Sequence, residues 1–114
     1  LYGPIYLEVQ EVIDRVIEKG MGVFNNELMA CPHKITSDAM IVLSEWESPI
    51  NQGPERIAEL ALHYAKDLVA LDEKVAMLMK EDGSLTFGLE NLLAELADVH
   101  EGYVYLLNQR AKHL

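Results

Sequence analysis

Basic residues are scarce in this chain: nine Lys and Arg stand against nineteen Asp and Glu, a formal net charge of -10. Phosphate backbones are held mainly by Lys and Arg, so a chain without a basic stripe is expected not to bind nucleic acid. The same acidic field suits a basic protein partner, a cation or simple solubility. Cysteine is limited to Cys31, which cannot form an internal disulfide and fits a reducing compartment. Long apolar runs are lacking as well. Charges interrupt every candidate before the roughly 18 residues that a membrane span needs, and the opening residues lack a signal-like pattern. The expectation is a cytoplasmic protein without a membrane segment. Phosphate-cradling GxGxxG and GxxxxGK[ST] strings and the GxSxG hydrolase elbow are missing, as are internal repeats and low-complexity runs.

What the chain does have is apolar residues, half of the total, enough for a core and too many for a disordered polymer. At 114 residues it is expected to be one domain, 1–114. A first helix is predicted from Pro4 to Lys19, with Ile5, Val9, Val12, Ile13, Val16 and Ile17 on one stripe and Glu8, Glu11, Arg15 and Glu18 toward water. Gly20 and Gly22 are expected to stop it. Residues 23–35 show no sustained period and read as turns or a short helical piece. A short second helix is expected to open at Thr36 or Ser37, either of which can cap free amides, and to end before Pro49. SPINQGP, residues 48–54, then reads as a linker.

The strongest periodic signal follows. Pro54 and Glu55 suit a helix start, and Ile57, Leu60, Tyr64, Leu68, Leu71, Val75 and Leu78 recur at steps of three and four to about Lys80. Residues 81–84 break the pattern, and Leu89, Leu93, Leu96, His100, Tyr103 and Leu107 resume it between Thr86 and Lys112. The short break makes the two helices, about 54–80 and 86–112, antiparallel neighbours. The predicted fold is therefore all-α, a bundle built on a long antiparallel hairpin, with an N-terminal helix and a short second helix. Each rod would be roughly 40 Å long. Leu62, Val69, Ala76, Met77 and Met79 lie beside one seam, and Leu92, Val99 and Leu106 beside the other. Apolar residues on more than one face need further cover, from the first helix or from a second copy of the chain, and of the two a homodimer is the expectation.

Few residues suggest chemistry. In LENLLAELADVHEGYVYLL, residues 89–107, Glu95 and Asp98 are three apart and share a helix side, a spacing that can offer two carboxylates to a hard cation. The string Glu95-Leu-Ala-Asp98-Val resembles the last metal-binding helix of the all-alpha nucleoside triphosphate pyrophosphohydrolases, the MazG-like family. That resemblance, over about twenty residues, implies Glu95 and Asp98 as magnesium ligands in a helical dimer or tetramer that releases pyrophosphate from nucleotides. The family's EExxE-type box on an earlier helix has no counterpart here; Glu55 with Glu59 and Glu45 with Glu47 are spaced differently. Glu59 and His63, four apart, are the other candidate ligands, and with Glu95 and Asp98 across the hairpin they would complete a mixed oxygen and nitrogen site. The competing reading makes all four solvated surface groups.

His100 occupies a seam position and is expected to pack there, its ring nitrogens satisfied by Glu101 or a backbone carbonyl; at a dimer seam it would make assembly pH-sensitive. Cys31-Pro-His33 lacks the second ligand pair of a metal site. Trp46 is expected to anchor the short helix to the hairpin or to serve a partner, and Tyr64, Tyr103 and the methionines to line any ligand pocket. The leading expectation is a non-enzymatic helical interaction or regulatory protein without a cofactor, dimeric and suited to a basic protein surface. The alternative is the magnesium-dependent pyrophosphohydrolase or a degenerate relative.

Overall fold

A computed structural model describes residues 1–25 and 31–113, and among these it contains four helices and no strand. They are α1 (Tyr2–Phe24), α2 (Pro32–Ser44), α3 (Pro54–Asp82) and α4 (Phe87–Lys112). The all-α class is as expected. The chain divides into two compact units, Leu1–Ser48 and Pro49–Leu114.

In the first unit α1 is longer than predicted at both ends. Gly20 and Gly22 lie inside the helix, Gly20 buried, because a glycine weakens a helix without breaking it when the backbone bonds continue. The stop comes instead at Asn25, which takes the left-handed conformation at φ 50° and donates its backbone N–H to the Met21 carbonyl at 2.9 Å. Asn tolerates that geometry better than most residues with a side chain. The start of α2 also differs from expectation. Pro32 occupies its first turn and Cys31 is the flanking residue, so Thr36 and Ser37 lie within the helix instead of capping it. Proline fixes φ at a helical value and has no amide to leave unsatisfied, which makes the earlier start favourable. The turns expected over 23–35 fall partly on residues 26–30, outside the described residues. No α2 residue is buried, and Trp46 is half-buried just beyond it, its amide donating to Leu43 O.

The second unit opens on the linker, where Asn51 again takes a positive φ of 64°. From Pro54 the hairpin matches the predicted boundaries to within two residues. Its turn is held by several bonds. Gly83 caps α3 at φ 79°, and the amides of Ser84 and Leu85 both donate to Met79 O. Ser84 also donates from its hydroxyl and its amide to Asp82 Oδ1, at 2.5 and 2.9 Å. Thr86 then caps α4, its Oγ1 accepting from the Leu89 amide at 3.1 Å. So short a turn leaves the helices nowhere to go but alongside each other.

Most of the predicted α4 seam is buried, namely Leu89, Leu96, His100, Tyr103 and Leu107; Leu92, expected beside the seam, is buried with them, and Leu93, expected in it, is half-buried. On α3 the seam differs. The buried residues are Ala58, Leu60, Ala65 and Asp72, whereas Leu71 and Leu78, expected in the seam, are 53% and 52% exposed. Ala58, Ala61, Ala65, Leu68, Asp72, Val75 and Met79 follow a three-four rhythm, buried or half-buried throughout; Leu68 and Val75 belong to the predicted seam as well, the other five stand one residue further along, and Leu60, also predicted, is buried beside them. Small alanines on α3 suit the large Tyr103 and Leu107 on α4, since interdigitation pairs small positions with large ones.

Candidate functional site

The most unusual feature of the hairpin is an ion-pair geometry in its seam. His100 Nδ1 lies 2.5 Å from Asp72 Oδ2, both side chains only 10% exposed, with 28 residues of chain between them. The two atoms are within hydrogen-bond distance, and the roles of the ring nitrogens depend on the imidazole tautomer. The Tyr103 ring, one turn on, lies 5.8 Å from that of His100 at a 45° tilt. His100 thus packs in the seam as expected, but its partner is neither Glu101 nor a backbone carbonyl. Asp72 was missed because an acid is not a core signal. The available clue was its spacing of seven from Ala65 and Met79, opposite the one polar residue of the α4 seam.

The pair also fixes the register of the hairpin, and the register separates the candidate metal ligands. From the Asp72–His100 level, His63 lies nine residues toward the open end and Asp98 two residues toward the turn. At 1.5 Å per residue they are about 16 Å apart along the axis, and Glu59 is about 27 Å from Glu95. The hairpin therefore does not bring the four together. Glu59 accepts from Arg56 Nη1 at 3.0 Å, and His63 Nε2 lies 3.6 Å from Asp67; all four side chains are exposed. Glu95 and Asp98 are exposed too. Among the described residues no three His, Cys, Asp or Glu converge where they could hold a metal ion. Two exposed carboxylates on one helix are an incomplete donor set for magnesium. Cys31 is half-buried and His33 exposed at the start of α2.

The two sides of the hairpin differ in chemistry. Stepping back one residue from Asp72 and from His100 turns each helix by 100°, and because the helices run in opposite directions both steps lead to the same side. Continued at intervals of seven, that side carries Tyr64, Leu71 and Leu78 from α3 and Leu92, Val99 and Leu106 from α4. Stepping forward leads to the other side, with Lys66, Glu73 and Lys80 from α3 and Ala94, Glu101 and Asn108 from α4. There, Lys66, Val69, Glu101 and Val104 line a shallow depression of about 190 Å³. Along those lines the first side is apolar, with exposed Asp67, Lys74 and Glu95 one helical turn from Leu71, Leu78 and Val99 at its edge, while the other side is charged and polar.

Elsewhere, Asp82 at the turn is held below the usual carboxylate range by the Ser84 hydroxyl and then by the Ser84 amide, both donating to it. Among the described residues no helix is long and apolar enough to cross a membrane. Comparison with protein-family models, with curated proteins and with solved structures returns no match.

Proposed function

We propose that this chain is a non-enzymatic, acidic helical interaction protein of the cytoplasm that works as a homodimer and offers its charged surface to a basic protein partner. The observation that carries the reading is the distribution of acid. Glu59, Glu73, Glu81, Glu90, Glu95, Asp98 and Glu101 are all exposed on α3 and α4, while the one buried acid among the described residues, Asp72, is matched by His100. Exposed carboxylates spread along about 40 Å of paired helix form a field that steers and orients a positively charged surface. The same spread supports binding over catalysis, since a reaction centre requires its groups to converge.

The test is affinity capture from the native host at low ionic strength, followed by titration of the purified partner against rising salt. Affinity is expected to fall steeply with salt, and Glu95→Lys with Glu101→Lys to weaken it further. A partner whose binding ignores both salt and these substitutions would overturn the reading. So would magnesium-dependent release of pyrophosphate from a nucleoside triphosphate that Glu95→Ala abolishes, the outcome required by the likeness of residues 95–99 to a pyrophosphohydrolase helix.

A further inference from the structure

We draw no further inference here: the strongest candidate, the surface patch of exposed Leu71, Leu78 and Leu106 along one side of the α3–α4 hairpin, is edged by exposed Asp67, Lys74 and Glu95, and nothing in the structure shows what covers it.

Discussion

The two units of this chain carry similar apolar patterns to different ends. The stripe of α1, Ile5 through Ile17, is as regular as that of α3, yet Ile13 remains 48% exposed and Gly20 is the only buried residue of the helix. In the second unit, α3 and α4 pack along their length, burying leucines, a tyrosine and a paired acid and histidine. The difference lies in the connection. A turn of four residues delivers α4 against α3 already aligned, so little further chain entropy is lost when their side chains meet. A stripe becomes a core only where a second stripe is held against it; otherwise its burial energy remains available to a partner.

The widest contrast between the units should come from the buried pair. Asp72→Ala leaves His100 in the seam without its partner and is expected to destabilise the hairpin by about 3–5 kcal/mol. Replacing both groups by leucine should cost far less, since no buried polar group is then stranded. Denaturant unfolding of the two variants measures the gap, and equal losses would deny the pair its role in the seam. Next in size, Leu96→Ala removes a buried side chain and should cost about 3 kcal/mol, against less than about 1 kcal/mol for Ile13→Ala on α1. Similar losses at the two positions would erase the distinction between the units.

Smaller effects sharpen the account of the turn. Thr86→Ala deletes the cap of α4 and should cost about 1 kcal/mol, while Thr36→Ala, inside α2, removes no cap. At Asp82 the folded-state pKa is depressed, so its stabilisation is present above the ordinary carboxylate range and lost as pH falls through the lowered value. Ser84→Ala should therefore lower Tm slightly at neutral pH, with the deficit shrinking as pH falls below the ordinary carboxylate range. A deficit constant with pH would assign the effect to the turn backbone instead.

The hairpin was legible to this degree because its boundaries are written in local chemistry: Pro54 at a first helical turn, Gly83 at a left-handed cap, Thr86 before an apolar run. The limits of α1 and α2 were less so, since interior glycines and an early proline act through backbone continuity that side-chain periodicity does not report. The candidate ligands were legible one at a time. Glu95 with Asp98, and Glu59 with His63, are each neighbours on a helix as their spacing requires. Whether the pairs could meet depended on the register of α3 against α4, which no local pattern specifies.

Helix content, the antiparallel hairpin and the excess of exposed acid were thus determined by the sequence by itself, because propensity, capping and turn length act over a few residues. Which of two adjacent apolar lines on α3 faces α4 was decided only in three dimensions. Positions 71 and 72 differ by 100° of rotation, and the choice between them fell to close packing over Ala58, Ala61 and Ala65 and to the bond between Asp72 and His100. That rotation put an aspartate inside and left leucines outside, since the free energy of a seam depends on how two surfaces fit and not on how apolar either one is alone.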